Sequence, residues 1–389
     1  MPDVVVIGAG AVGAACAYYA ARAGLDTLVV DRGSVAAGTT GAGEGNVLVS
    51  DKAPGPELAL ALLSRDLWLG LTEDGVGGGN GGFEYEPKGG LVVARTPHEL
   101  AALTALAGAQ AEQGAEHVVV PADALTDHEP HLAPGLAGGV LYPQDAQVQP
   151  ALAAARLIRR GAERFGRGTL MLRTGVTVTG LLRAGERVTG VATDHGDILA
   201  GAVVNAAGTW GGEIAAMAGT TLPILPRRGF VLVTEPIREP LIRHKVYTAA
   251  YVTDVASDSE DLETSAVVEA TPSGPVLIGA SRERVGFDRT TSVPVLERLA
   301  RQAVELFPVL AGYRAIRAYC GFRPYCPDHL PVIGQDPAVP GLHHACGHEG
   351  AGIGLAPATG HLIAQTLTGA VPDLDLRPFL PGRFQEAHR

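Results

Sequence analysis

The sequence predicts an α/β protein: a dinucleotide-binding strand–helix–strand unit with a parallel sheet, joined by a second group of strands. Three observations carry that expectation. Val4-Val5-Val6-Ile7 is a run of β-branched residues without a polar position, which reads as a strand buried on both faces. Gly8, Gly10 and Gly13 follow at G-x-G-x-x-G spacing, ahead of an alanine-rich helical stretch that reaches Gly24. A second strand over 27–30 then ends in Asp31, eighteen residues after Gly13.

Each part of that unit has a physical reason. Gly8 permits the tight turn, and Gly10, with Ala11 and Val12 beside it, lets a pyrophosphate approach free amides at the helix N-terminus. Gly13 allows close helix–strand packing. Asp31, followed by Arg32, stands where a carboxylate accepts hydrogen bonds from ribose hydroxyls. Three glycines alone say little in a chain of 52 glycines. Strand, turn, helix, strand and acid in this order predict an adenine dinucleotide. The glycine- and hydroxyl-rich stretch 33–50 suits wrapping a phosphate or a flat ring with backbone amides, with Thr39, Thr40, Gly41, Ala42 and Gly43 as its candidates. A flexible connector is the alternative.

The chain of 389 residues suggests two domains, and 46% hydrophobic with 18% charged residues is a globular composition. A formal net charge of −11 argues against nucleic acid and against an anionic membrane surface. Cys16, Cys320, Cys326 and Cys346 form no C-x-x-C pair, which suits a reducing compartment, and no metal site is expected. The apolar run 4–21 lacks a basic leader and carries the glycine motif, so it reads as strand plus helix and not as a membrane span. A soluble, cytoplasmic protein is expected.

The remaining elements follow in order. A helix is expected over 56–72, opened by Pro56 and Glu57, then a glycine-rich turn at 75–82 and strands near 83–95. Thr96 should cap a helix over 97–113, and Pro and Gly make 121–143 loop and short strand. A helix over 149–165 precedes strands at 169–173, 176–182 and 187–193. Apolar runs at 229–234, 266–268 and 276–279 read as further strands. A glycine-rich stretch, 347–355, should open the last helix.

Four ordered motifs resemble the FAD-dependent D-amino-acid oxidase/glycine oxidase superfamily. They are the first glycine motif, Val203-Val204-Asn205-Ala206-Ala207-Gly208-Thr209-Trp210, Gly321-Phe322-Arg323-Pro324 followed by Pro327-Asp328-His329-Leu330-Pro331-Val332-Ile333-Gly334, and Cys346-Gly347-His348-Glu349-Gly350-Ala351-Gly352-Ile353-Gly354-Leu355. Within it, the last motif and Pro226-Arg227-Arg228-Gly229-Phe230 look most like the catalytic β-type subunits of proline, D-hydroxyproline and opine dehydrogenases.

The resemblance implies a Rossmann-like FAD-binding domain from 1–83, 146–221 and 319–389, and an inserted antiparallel-sheet substrate domain from 84–145 and 222–318. It implies FAD contacts at Ala206, Ala207, Gly208, Trp210, Gly321 and Arg323, with Gly350, Ala351, Gly352 and Ile353 against the flavin. Val178 is either an adenine contact or an ordinary strand residue. Arg323 matches the family's substrate arginine, whose planar guanidinium grips a carboxylate with two parallel hydrogen bonds; a structural salt bridge is the alternative. His348 either orients substrate or tunes the flavin, or is packed in a helix cap. Arg228, Tyr247 and Tyr251 either line the pocket mouth or pack the inserted domain. The covalently flavinylated relatives carry a cysteine just ahead of a Pro-Asp pair; Cys320 stands one residue further off, so non-covalent FAD is expected. The implied activity is hydride transfer from the CH–NH bond of a small amino or imino acid, with electrons leaving through companion subunits. An oxygen-using oxidase and a non-catalytic FAD-holding subunit are the alternatives.

Overall fold

Val4–Ile7 lies inside a six-stranded sheet whose order is Val332–Gln335, Leu342–Cys346, Ala202–Asn205, Val4–Ile7, Thr27–Asp31 and Leu170–Thr174. The computed structural model describes residues 1–75, 82–163, 168–255 and 257–384, so most of the expected turn at 75–82 lies outside the described residues. All neighbours in this sheet are parallel except Val332–Gln335, which runs against Leu342–Cys346. Side chains alternate across a sheet, which explains why the first strand is apolar at every position. Val4 and Val6 pack into the helical layer with Ala14 and Ala17. Val5 and Ile7 pack on the opposite face with Val188, Val191 and Ile198 of a three-stranded sheet.

The helical layer is close-packed because its contact residues are small. Helix Ala11–Arg22 packs against Ala356–Thr368 and against Pro150–Ala162. A Cβ on Gly360 would stand 2.5 Å from the backbone carbon of Ala15, and one on Gly161 would meet the Cα of Tyr18 at 3.5 Å. The helix expected to reach 165 ends at Ala162. Thr96 does cap its helix, Pro97–Ala111, accepting the Glu99 amide at 3.2 Å.

The second sheet has eight strands in the order Ala315–Tyr325, Leu225–Thr234, Val276–Arg282, Glu263–Ala270, Lys245–Thr248, Gly90–Ala94, Gly138–Tyr142 and Val118–Pro121. It is antiparallel except where Lys245–Thr248 runs parallel to Gly90–Ala94. Helix Val293–Leu306 covers one face, burying Val295, Leu299, Ala303 and Leu306 against Phe230 and Ile278. The eleven-residue strand Ala315–Tyr325 carries Gly321–Pro324 back to the first sheet. The stretch 347–355 is not the start of the last helix. Glu349–Ala351 form a 3-10 turn, and the helix begins at Ala356. Gly347 at φ +74° and Glu349 at φ +47° are incompatible with a continuous helix there. No helix among the described residues is long and apolar enough to cross a membrane.

Candidate active site

A cavity of about 350 Å³ lies between the ends of the parallel strands and the larger sheet. Gly8, Gly10 and Asp31 line it from one side; Gly229, Val231, Gly321 and Arg323 line it from the other.

The first half is built from the glycine turn and the start of the first helix. Gly8 has φ +109°, and a Cβ there would sit 2.4 Å from the carbonyl oxygen of Ala206. A Cβ on Gly13 would sit 1.9 Å from the Gly8 carbonyl oxygen, so Gly13 sets helix–strand contact and does not itself line the cavity. Gly10 caps the helix without a side-chain hydrogen bond, so the amides of the first turn look to other partners. The Ala11 amide donates to Thr40 Oγ1 at 2.9 Å, drawing Thr40 beside that turn. Asp31 accepts the Ala9 amide on Oδ2 and the Gly33 amide on Oδ1, each at 2.7 Å. A carboxylate has about four acceptor positions, so both oxygens retain capacity for a ribose hydroxyl. Val178 lines the cavity with Val176 and Thr177, which the sequence did not single out. Arg32 lies 4.3 Å over the ring of Trp210, which stacks on Phe287 at 5.2 Å.

The second half is where distant parts of the chain converge. Thr39 and Thr209 both donate to the carbonyl oxygen of Phe322, at 2.6 and 2.8 Å. A Cβ on Gly43 would stand 2.6 Å from Ile353 Cδ1, and one on Gly321 would stand 2.6 Å from the Cβ of Ala42. These glycines let the two loops approach more closely than a side chain would allow. Ala206, Ala207, Gly208, Gly350, Gly352 and Ile353 line the same cavity. Gly41 and Ala351 do not; a Cβ on Gly41 would meet the Ala36 carbonyl oxygen at 2.4 Å.

Arg323 enters from the larger sheet. Its Nη1 donates to the Ser281 carbonyl at 2.8 Å and passes over Gly229, where a Cβ would stand 2.2 Å away. Burial, and then the charge of Arg282, hold its pKa below the usual arginine range. Among the described residues no carboxylate pairs with it, so most of its N–H donors remain for a ligand. Tyr251 lines the cavity as well.

Two expected pocket residues lie elsewhere. Arg228 pairs with Glu283 at 2.9 Å and Asp288 at 2.7 Å, and Tyr247 is sealed inside, its hydroxyl bonded to Ser50. Neither lines the cavity; both pack the larger sheet. His348 does line it, but its Nε2 bonds Thr359 Oγ1 at 2.9 Å, and burial pushes the ring down to about 3. The ring is therefore neutral at physiological pH and anchors the entry to the last helix.

Glu44, Asn46 and Glu349 line the cavity and were not anticipated. Glu44 pairs with Lys245 at 3.4 Å, and Lys245 with Glu269 at 2.9 Å. Glu349 pairs with Arg227 at 2.6 Å and with His329 Nδ1 at 3.0 Å. Burial alone would raise the Glu349 carboxyl, but His329 and Arg227 outweigh it and hold it low. His329 also reaches Asp258 at 3.2 Å. The Glu349 hydrogen bond raises the His329 pKa against burial. A raised imidazole stabilises the fold fully below its unfolded pKa of about 6.5 and loses that contribution as pH rises through the folded value. We therefore expect the melting temperature to fall as pH rises from about 6.5 through that value. The part of the fall due to this pair should be missing in His329→Gln.

Three comparisons bear on the site. The family profile described as "FAD dependent oxidoreductase" (DAO) matches residues 3–366. Glycine oxidase of Pseudomonas aeruginosa is 32% identical, covering 97% of this chain and 98% of its own. The hydrogen cyanide synthase subunit HcnC of the same organism is 29% identical, covering 98% and 96%. The crystal structure of glycine oxidase from Geobacillus kaustophilus superposes with a TM-score of 0.86 at 26% identity, over 97% of this chain and 98% of that one.

Proposed function

Because the chain belongs to the DAO family of FAD-dependent oxidoreductases, acting on the CH–NH bond of amino acids, we propose that its substrate is a small amino or imino acid of the proline, D-hydroxyproline or opine type. We propose further that its electrons leave to companion subunits and not to oxygen; the subunit nature of the HcnC relative supports this. The observation that carries the reading is Arg323, a cavity-facing guanidinium without an acidic partner among the described residues.

The residues present fit FAD. Gly8, Gly10 and the first turn of Ala11–Arg22 would hold the pyrophosphate, Asp31 the ribose, and the slot between Gly43, Gly321 and Ile353 the ring. Bound FAD supplies the two-electron sink that takes the substrate's Cα hydrogen as hydride. Arg323 grips the substrate carboxylate and fixes the direction of the Cα–H bond. Gly229 keeps the guanidinium low against the sheet. Tyr251, itself buried, forms part of the chamber wall. No side chain needs to remove the Cα hydrogen as a proton, so the machinery is positional. In this reading the larger sheet forms the substrate side.

Purified holoprotein should be yellow and should bleach anaerobically with at least one member of a panel of D- and L-proline, hydroxyprolines, opines, glycine and sarcosine. Reoxidation should be slow in air and fast with an artificial electron acceptor. Rapid turnover with oxygen alone would overturn the companion-subunit reading, and absence of bleaching by the whole panel would overturn the substrate class.

A further inference from the structure

A chain of hydrogen-bonded side chains runs from the chamber to the surface, and the mechanism above leaves it idle. Glu349 lines the cavity, and its Oε2 meets His329 Nδ1 at 3.0 Å. The other ring nitrogen, Nε2, meets Asp258 Oδ1 at 3.2 Å. The Asp258 side chain is 73% exposed.

The inner end of this chain stands beside the substrate arginine. A Cβ on Gly350, the residue after Glu349, would lie 3.7 Å from both Cδ and Nε of Arg323. Arg323 feels the charge of Glu349, yet the ion partners of Glu349 among the described residues are Arg227 and His329. Glu349 and His329 both have left-handed backbones, at φ +47° and +56°. Only two other non-glycine residues among those described, Ala36 and Glu84, have positive φ. Such strain persists where the surrounding structure holds a side chain in one aim, and it gathers at functional sites.

The charges around the chain leave room for a ligand. Arg227 Nη1 donates to Glu349 Oε1 at 2.6 Å, and the same guanidinium is shared with Glu263. The Tyr325 hydroxyl donates to Asp258 Oδ1 at 2.7 Å, and Arg284 acts on that carboxylate from further off. Asp328, beside His329 in sequence, is taken by Arg383 at 2.6 Å. Each Glu349 oxygen thus has one donor, and a carboxylate offers about four acceptor positions. An amino acid arrives with its nitrogen protonated and so without the lone pair that drives hydride out. One proton must leave first.

We propose that Glu349 receives the substrate's ammonium group and that Glu349, His329 and Asp258 conduct one of its protons to solvent. An N–H bond of the substrate breaks, and its electron pair stays on nitrogen. The proton passes by Glu349 to His329 Nδ1, while Nε2 gives its own proton to Asp258 or water; exchange with water then resets the ring. No electrons change hands until the hydride leaves. Glu349 is then a catalytic residue and His329 a relay that acts through it. The inference rests on the reading of Arg323 given above and adds an acid–base path to it.

Stopped-flow reduction of the holoenzyme's flavin, anaerobically and across pH, tests this with the panel amino acid that bleaches it fastest. In the unmodified enzyme the rate should fall as pH drops through the His329 ionisation, because a doubly protonated ring accepts nothing. That limb should lie below the ionisation of the free amine. His329→Gln should be roughly a hundredfold slower near neutral pH, and within threefold of the unmodified rate where the amine arrives unprotonated. Glu349→Gln, which keeps an acceptor for Arg227, should show the same pH-dependent loss. Both variants should bind acetate, a carboxylate without a nitrogen, within twofold of the unmodified enzyme. Variants slowed equally at every pH would make the chain structural and overturn the proposal. So would an unmodified enzyme whose rate follows only the free amine's own ionisation, whether or not the variants fold. Failure of every amino acid to bleach the flavin would instead bring down the substrate class itself, and this inference with it.

Discussion

Arg323→Met is expected to cut kcat/KM for the amino-acid substrate by two to three orders of magnitude while the protein remains yellow. Removing one partner of a desolvated, hydrogen-bonded charge pair costs about 2–5 kcal/mol, roughly 30- to 5,000-fold. The loss should fall on KM, because the carboxylate grip exists before the reaction. It should also fall on kcat, because a loosely held substrate rarely points its Cα–H bond correctly. The fold has little to lose, since the Arg323 side chain makes one hydrogen bond among the described residues, to Ser281. Steady-state kinetics with the bleaching substrate and the flavin absorbance of the purified variant decide the matter. A colourless Arg323→Met protein would assign this arginine to the cofactor, and unchanged kinetics would remove it from the site.

Gly8→Ala should abolish cofactor retention. Two penalties coincide at this position: a left-handed backbone at φ +109°, and a Cβ placed 2.4 Å from the Ala206 carbonyl oxygen. The first costs about 1–2 kcal/mol and the second about 1–3 kcal/mol, and both are relieved only by moving the turn that holds the phosphates. Flavin affinity should fall at least a hundredfold, with a lowered melting temperature. Gly24→Ala separates the two causes, because Gly24 has φ +95° but nothing within 4 Å of the added Cβ. That variant should lose stability alone and stay yellow. A Gly8→Ala protein that binds flavin normally would remove Gly8 from the phosphate-holding turn.

What the sequence could disclose follows from the range of the forces involved. The first strand, its turn and Asp31 were legible because backbone geometry at Gly8 and alternation along Val4–Ile7 are local constraints. Arg323 was singled out by a motif, whereas the sequence left Arg228 open between pocket mouth and packing, because its partners Glu283 and Asp288 lie 55 and 60 residues away. Tyr247 and Tyr251 stand four residues apart, but one lies within a strand and is sealed against Ser50, while the other rides a short helix to the cavity wall. Glu44 and Glu349 were hidden for the same reason: Lys245 and Arg227, which hold them, are over a hundred residues distant. The glycines at 350–354 suggested a helix entry, but the positive φ at Gly347 and Glu349 belongs to a turn that only the assembled site requires.

Two threonine hydroxyls, from positions 39 and 209, fasten onto the one carbonyl of residue 322. That carbonyl belongs to the edge strand of the larger sheet, so the turn at 39–42 and the turn at 208–210 are tethered to one point of it and should loosen together if that strand shifts.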